Sequence, residues 1–352
     1  MTSHQQISRE TAYPAAMGYP RNQWYVAAFS RDVQLGTPLR RVLLDTPVLL
    51  YRTEAGNPVA LYDRCPHRGA PLSIGKQVGD EIQCGYHGIR FGRDGRCTHV
   101  PSQPGTPAAM SVNSYPLVEK WQWIWIWLGD PAKADVDLIP DHDWLLLNNE
   151  KLISTPFFTI ELGCNYQVFN DNLLDTSHLS YVHLGSLDGG GLALAKYKIK
   201  EEGGMISVRR EEKGVSYEEP LASFLGCKVG VKYDRILDTE TVMPSTHIAK
   251  QYMQPSDDPD AAPALMCAIN ALTPSTLHTT YMFHAMVANY SGPESPQTIE
   301  YVRHVIAEDV AVVDAIQKDF EQRGDMREVS VAADRAGILG RRMIQQLIDA
   351  EI

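Results

Sequence analysis

The sequence predicts an α+β protein of two domains, a small antiparallel β domain followed by a larger domain of strands and helices. Its 352 residues exceed what one hydrophobic core usually organises, so two domains are expected. Short segments rich in Val, Leu and Tyr, separated by turn residues, occupy roughly the first third of the chain. The remainder contains further strand-like segments and ends in two long helical stretches, an order typical of α+β domains.

The composition indicates a globular protein whose partners are not nucleic acids or membranes. Hydrophobic residues make up 44% of the chain and charged residues 21%. The formal net charge is −11, from 32 basic and 43 acidic residues, which argues against binding to nucleic acid or to an anionic membrane. Residues 1–20 have the polar composition of an N-terminal arm and lack the apolar core of a signal peptide. We therefore expect a cytoplasmic protein.

The predicted N-terminal domain covers residues 21–138 and consists of short strands. Asp94-Gly95 is a strong hairpin signal, and residues 130–143 have the composition of a linker. In residues 121–128 tryptophans alternate with isoleucines, which predicts a strand buried on both faces, with Trp121 on the tryptophan face. The earlier strands are expected at residues 23–29, 41–51 and 58–62.

Two cysteine–histidine pairs lie sixteen residues apart in this domain, Cys65-Pro66-His67 and Cys84-Gly85-Tyr86-His87. Two thiolates on one iron and two imidazoles on the other are the ligand set of a Rieske-type [2Fe–2S] cluster, with a potential of about −150 to +300 mV. A Cys2His2 set can also bind zinc. Zinc ligands usually group cysteine with cysteine and histidine with histidine, whereas here they alternate. The spacing therefore favours a one-electron centre.

Four further cysteines are scattered along the chain, and we expect them to be buried free thiols of a cytoplasmic protein. They are Cys97, Cys164, Cys227 and Cys267.

The predicted C-terminal domain covers residues 139–352. A helix is expected after Asn165, and glycine-rich loop residues follow His183. Strands are expected at residues 205–210, 228–237, 246–253, 264–272 and 279–288, and helices at 299–323 and 331–352.

A second metal site is indicated by the run Asn172-x-x-Asp175-x-x-His178-x4-His183. The first three of these residues recur every third position, so they are expected near one helix face. His178 and His183 would lie about 140° apart on an ideal helix, so we expect the helix to end or loosen between residues 179 and 183. Two histidines with one carboxylate suggest the facial triad of non-haem Fe(II) oxygenases.

The third ligand is expected to come from the helix near the C-terminus. Asp309, Val313, Ile316 and Phe320 follow an i, i+4, i+7, i+11 pattern, which places Asp309 on the apolar stripe. A carboxylate facing a core is costly unless it is paired or bound to a metal. Glu308 lies on a mixed face, so Asp309 is the preferred candidate.

The stretch CPHRGAPLSIG…CGYHGIRFGRDGRC resembles the signature of the Rieske non-haem iron oxygenases, and Asp175-x-x-His178-x4-His183 resembles their mononuclear-iron motif. The resemblance implies that Cys65 and Cys84 hold one cluster iron and that His67 and His87 hold the other. It also implies a helix-grip catalytic domain with iron bound by His178, His183 and Asp309. Asp175 would link a neighbouring subunit's His87 to His178, which implies a homotrimer. Asn172 would line the iron pocket.

Within that family the chain is similar to vanillate O-demethylases and toluenesulfonate methyl-monooxygenases. This implies hydroxylation of a substituted aromatic acid by O2, most directly O-demethylation of a methoxybenzoate. Aryl-methyl or ring hydroxylation, or ether cleavage of an aryl sulfonate or phenoxy acid, is the alternative. The chain has no Gly-x-Gly-x-x-Gly fingerprint, so electrons from NAD(P)H are expected through a separate flavin/iron–sulfur reductase.

Other readings remain open from the sequence. His247, His284 and Asn289, with Asn172, are candidate residues of the substrate pocket. An electron carrier without oxygenase activity, or a zinc-stabilised binding module, are the function hypotheses from other classes. The sequence does not decide between mono- and dioxygenation.

Overall fold

The computed structural model describes residues 18–141, 145–147, 149–154, 157–292, 294–323 and 328–351. Most of the predicted N-terminal arm, residues 1–17, lies outside them. No helix in these ranges is long and apolar enough to cross a membrane.

The first third of the chain is built from short antiparallel strands, as predicted. Three sheets form, with the strand orders β1-β11-β10, β2-β3-β4-β9 and β5-β6-β7-β8. The strands are β1 (Trp24–Phe29), β2 (Leu39–Leu43), β3 (Thr46–Arg52), β4 (Pro58–Tyr62), β5 (Lys76–Val78), β6 (Glu81–Gln83), β7 (Arg90–Phe91), β8 (Cys97–His99), β9 (Ser114–Tyr115), β10 (Leu117–Lys120) and β11 (Trp123–Trp127).

Two predictions for these strands were wrong in detail. Residues 41–51 form two strands rather than one, because Leu44 and Asp45 take positive φ angles of 50° and 58° and close a tight turn. Trp121 lies in the next turn with Gln122, again at positive φ, so β11 begins at Trp123.

The tryptophan strand β11 is buried on both faces, as predicted. Trp123, Trp125 and Trp127 pack against residues of the large C-terminal sheet, including Ile269 and Phe283. Burying a tryptophan removes about 150–250 Å² from water, which contributes about 4–6 kcal/mol before the entropy cost of ordering it. This strand therefore couples the small β domain to the large C-terminal sheet.

The rest of the chain forms an eight-stranded antiparallel sheet with helices. The strand order is β12-β19-β18-β17-β16-β15-β14, and β13 also pairs with β19. The strands are β12 (Ile153–Ser154), β13 (Phe158–Leu162), β14 (Lys196–Glu202), β15 (Met205–Val215), β16 (Tyr233–Val242), β17 (Thr246–Pro255), β18 (Ala264–Pro274) and β19 (Thr280–Ala288). The helices are α1 (Tyr166–Leu174), α2 (Leu221–Phe224), α3 (Pro296–Arg323) and α4 (Arg335–Asp349).

Helix α1 is shorter than predicted. Its N-cap Asn165 accepts a hydrogen bond from Gln167 N, but the helix ends at Leu174. The Asp175 carboxylate accepts hydrogen bonds from the N–H and the hydroxyl of Ser177, at 2.8 and 2.9 Å. These side-chain hydrogen bonds replace the backbone hydrogen bonds that would continue the helix beyond Leu174. His178 therefore lies in a separate 3-10 turn (His178–Ser180), not on the helix face of Asn172.

Helix α3 buries the predicted apolar stripe, including Asp309 and Val313. The stripe continues through the buried Gln317, whereas the predicted Ile316 is exposed. Gln317 accepts a hydrogen bond from Asn165 N at 2.9 Å, which ties α3 to the start of α1. Helix α1, which carries Asn172, and helix α3, which carries Asp309, are thereby held together.

Candidate metal centres and substrate cavity

The two cysteine–histidine loops have the same backbone pattern. The N–H of Cys65 donates to Ala70 O, and the Cys65 carbonyl accepts from Gly69 N. The second loop repeats this, from Cys84 N to Ile89 O and from Gly88 N to Cys84 O. Matching turns present the two thiols and the two imidazoles as equivalent pairs.

The cluster loops bury sulfur and expose imidazole. Cys65 and Cys84 are 2% and 1% exposed, while His67 and His87 are exposed with ring centroids 4.6 Å apart. Burial and the neighbouring Cys84 sulfur raise the pKa of the Cys65 thiol to about 11, opposed by the N–H groups of His67 and Arg68. Buried thiols beside main-chain donors fit a cluster that replaces their protons by iron.

The zinc alternative is not supported by the geometry. A single tetrahedral zinc requires its ligand atoms to converge on one point at about 2.0–2.3 Å. Within the described ranges, the only group of three or more ligating side chains whose atoms lie within 4.8 Å of one another is elsewhere, at His178, His183 and Asp309. The four cluster residues do not converge in that way.

The predicted triad meets at one carboxylate oxygen. Asp309 Oδ1 lies 3.0 Å from His183 Nε2 and 3.4 Å from His178 Nε2. Asp309 and His183 are buried, and His178 is nearly so. Asn172 Nδ2 donates to the same Oδ1 at 2.9 Å, so it orients the carboxylate from the α1 side. Two imidazole nitrogens and one carboxylate oxygen within 4.8 Å of one another are the donor set of a facial iron site.

Each histidine is held by its other ring nitrogen. His183 Nδ1 donates to Glu308 Oε2 at 2.8 Å, and that oxygen also accepts from Ser186 Oγ at 2.6 Å. His178 Nδ1 donates to the main-chain oxygen of Asp175. Both contacts leave Nε2 free for a metal and fix the ring orientation. The prediction that the Asp175 carboxylate contacts His178 was wrong, since its main-chain oxygen does so.

The two histidines have opposite electrostatic surroundings. Burial lowers the pKa of His178, against the opposing charge of Asp309. Burial also acts to lower the pKa of His183, but the hydrogen bonds and charges of Asp309 and then Glu308 outweigh it and raise that pKa. Glu308 was missed as a site residue, because helical periodicity placed it on a mixed face. Its position directly before Asp309 was the available signal.

A mainly apolar cavity of about 140 Å³ adjoins the triad. Its wall comes from α1, α3, the 178–187 loops and strands β16 to β19. The apolar lining includes Phe169, Leu173, Leu237, Met266, Met282 and Val302; the polar lining includes Thr176, Arg235, Gln251, Asn270 and His284 beside the triad.

Of the predicted pocket residues, His284 lines the cavity and the others do not. His247 is buried behind it, where its ring nitrogens lie 2.7 Å from Asn170 Oδ1 and 2.7 Å from Thr241 Oγ1. Asn289 is exposed at the end of β19, where it bonds the main chain of Leu265. Asn172 lines a separate groove, to which Asp175 and His178 also contribute.

The four remaining cysteines are free, and all but Cys97 are buried. This agrees with the prediction of free thiols. Burial raises the pKa of Cys164, Cys227 and Cys267 to about 12.

Comparison with known proteins identifies both parts of the chain. Residues 23–116 match the Rieske [2Fe-2S] domain, and residues 162–350 match the vanillate O-demethylase oxygenase C-terminal domain. The chain is 32% identical to the iron-sulfur subunit of a toluene-4-sulfonate monooxygenase system from Comamonas testosteroni, over 94% of this chain and 97% of that protein. It is also 32% identical to the oxygenase component of dicamba O-demethylase from Stenotrophomonas maltophilia, over 95% and 99%.

Solved structures give the same picture. Dicamba monooxygenase bound to 3,6-dichlorosalicylic acid matches with a TM-score of 0.85 and 32% identity, covering 95% of this chain and 99% of that one. The structure of dicamba monooxygenase with non-heme iron and dicamba matches with a TM-score of 0.80 and 30% identity, over 95% and 98%.

Proposed function

This chain belongs to the Rieske oxygenases that carry a vanillate O-demethylase oxygenase C-terminal domain, and we propose that it O-demethylates a methoxybenzoate-type aromatic acid. It is an oxygenase component with a Rieske [2Fe–2S] cluster and a mononuclear iron held by His178, His183 and Asp309. The three iron ligands, the aromatic acid and the position of attack are proposals.

The proposal depends on one observation, the triad beside a small apolar cavity. A volume of about 140 Å³ is close to that of a cavity of about 150 Å³ that holds benzene, so the cavity has room for an aromatic ring. Bound iron at the triad supplies the activation of O2. The apolar wall excludes water and holds the ring beside that site.

The protein residues around the triad have distinct tasks. Glu308 and the main-chain oxygen of Asp175 keep the Nδ1 protons of His183 and His178, which leaves each Nε2 as a lone-pair donor. Asn172 fixes the Asp309 carboxylate through its amide N–H. These contacts hold the site open on its cavity side.

The proposed reaction balances as a mono-oxygenation. An aryl methyl ether, one O2, two electrons and two protons give a hemiacetal and one water. The hemiacetal breaks down to formaldehyde and a phenol. Hydroxylation of an aryl methyl group to an alcohol is the second candidate, supported by 32% identity to the toluene-4-sulfonate monooxygenase subunit.

Electrons are proposed to arrive from NAD(P)H through a separate flavin/iron–sulfur reductase. The exposed edges of His67 and His87 offer the contact surface for that transfer. We further propose a cytoplasmic homotrimer in which the cluster of one subunit serves the iron of the next, with Asp175 at the junction. The iron triad argues against an electron carrier without oxygenase activity, because a carrier needs no open iron site.

A substrate panel with the holoenzyme, a compatible reductase and NADH tests the proposal. Methoxybenzoates should give formaldehyde and phenol in a one-to-one ratio with the O2 consumed. Methyl-, phenoxy- and sulfo-substituted aromatics distinguish the alternatives. Oxygen uptake and product formation with methylarenes but not with methoxybenzoates would replace demethylation by methyl hydroxylation.

A further inference from the structure

Two buried polar atoms of the cavity wall have no hydrogen-bond partner among the residues that the structure describes. They are Gln251 Nε2 on β17 and His284 Nε2 on β19. The two side chains belong to residues that are only 4% and 3% exposed, and both line the cavity. A buried polar atom without a partner costs free energy, so such atoms mark contacts that a ligand completes.

The Gln251 amide cannot be turned around. Its Oε1 accepts from Arg235 Nε at 3.0 Å and from Arg235 Nη2 at 2.6 Å. A guanidinium only donates, so the oxygen must face Arg235, and the N–H2 is the group left without a partner in a residue that lines the cavity. Gln251 therefore presents a fixed neutral donor.

Arg235 itself is not available to a ligand. Its Nη1 donates to Asp188 Oδ1 at 2.8 Å, to Tyr217 OH at 3.2 Å and to Glu212 at 3.4 Å, and Nη2 donates to Leu187 O. The side chain is 1% exposed. Arg235 thus acts through Gln251, as a positioning residue.

His284 presents the opposite chemistry. Its Nδ1 lies 2.7 Å from Asn270 Oδ1, so Nδ1 carries the proton and Nε2 presents a lone pair. Burial lowers the pKa of His284 to about 3, which keeps the ring neutral. Phe158 packs on the ring, with centroids 4.9 Å apart.

The donor and the acceptor are at separate points of the wall. Gln251 is paired with Met266 of β18, and His284 is paired with Asn270 of the same strand. These β18 partners are four residues apart, about 13 Å along the strand. The two unpartnered atoms therefore belong to different positions along the cavity wall.

We propose that Gln251 and His284 determine specificity for an aromatic ring with an acceptor oxygen at one end, such as a carboxylate, and a hydroxyl at the other. This inference rests on the proposed function and refines its substrate class. Gln251 Nε2 donates to the carboxylate, and the hydroxyl donates to His284 Nε2.

Calorimetric titration of the holoenzyme, without reductase or NADH, tests the contacts apart from turnover. The probes are 4-hydroxy-3-methoxybenzoate, 3-methoxybenzoate without the hydroxyl, and 2-methoxyphenol without the carboxylate. The complete probe should bind about 10-fold more tightly than either truncated one, because each lost partner leaves a buried group unpaired. Equal binding of all three, or no binding of the complete probe, would overturn the inference.

Two variants assign the contacts. Gln251→Glu keeps an oxygen for Arg235 but removes the donor, so it should lose the preference for the carboxylate. His284→Phe keeps the ring but removes Nε2, so it should lose the preference for the hydroxyl. Gln322→Glu, at an exposed glutamine of α3, is the charge-matched control and should bind like the natural chain.

The outcomes separate the two proposals. If the Gln251 and His284 variants still prefer the complete probe over the truncated ones as the natural chain does, the proposed contacts are refuted, whatever reaction the enzyme catalyses. The expected binding pattern without formaldehyde on addition of reductase and NADH refutes the demethylation and leaves the contacts standing.

Discussion

Removal of the Glu308 carboxylate should weaken iron binding at the triad and leave the content of the [2Fe–2S] cluster unchanged. Glu308 accepts hydrogen bonds from His183 Nδ1 and from Ser186 Oγ. Glu308→Ala therefore removes the contact that fixes the orientation of the His183 ring, a candidate metal ligand. A hydrogen bond to a charged group contributes about 1.5–3 kcal/mol. The Glu308 side chain is 24% exposed, so solvent screening favours the lower end, about 1.5 kcal/mol. That corresponds to about a 10-fold loss of metal affinity.

The assay is competitive binding of Fe(II), or Co(II) as a probe, to protein from which the mononuclear metal has been removed. Acid-labile sulfide should stay at the natural level. Glu308→Gln, which keeps an acceptor oxygen for His183, should lie between Ala and the natural residue. Glu300→Ala, at an exposed position of α3, is the control. Natural affinity in Glu308→Ala would refute the view that this carboxylate holds His183.

Three further predictions concern stability. Arg235→Met removes the ion pairs of the buried Asp188 and Glu212, and should lower the free energy of unfolding by about 3–5 kcal/mol in urea; a loss below 1 kcal/mol would contradict this. Burial lowers the pKa of His247 to about 3 in the folded protein. In the unfolded chain this histidine is protonated as the pH falls below about 6.5, so the free energy of unfolding decreases over that range. Between pH 7.5 and 5.5, His247→Gln should therefore lose about 1.4 kcal/mol less than the natural chain; equal losses would refute the assignment. Gly75→Ala places a Cβ 2.0 Å from Gln83 O between the cluster loops, which should cost about 1–3 kcal/mol and reduce bound cluster, read from its visible absorption; full cluster content would be inconsistent with that packing.

Sequence patterns correctly predicted those features of the two metal sites that depend on residues close together in the sequence. The paired spacing of Cys65, His67, Cys84 and His87 predicted the ligand set of a Rieske-type cluster, and the structure places these residues in two loops with the same backbone hydrogen bonds. The apolar stripe of α3 identified Asp309, because a buried carboxylate needs a partner. In these cases neighbouring residues in sequence determine the geometry.

The errors came from turns and from long-range pairing. Leu44-Asp45 and Trp121-Gln122 take positive φ angles without glycine, so strand periodicity could not reveal those turns. The side chain of Asp175 accepts a hydrogen bond from Ser177 N and ends α1 at Leu174. The spacing of His178 and His183 had predicted a later end, between residues 179 and 183. Gln251 reaches the cavity because β16 to β19 come together across the sheet, which no local pattern encodes.

The central claim is that one chain holds a two-iron cluster and a separate mononuclear iron. Metal and sulfide analysis of Asp309→Ala beside the natural protein tests it most directly. The natural chain should contain about three irons and two acid-labile sulfides, and the variant about two irons with both sulfides retained. Zinc in place of iron, or three irons in the variant, would contradict the account.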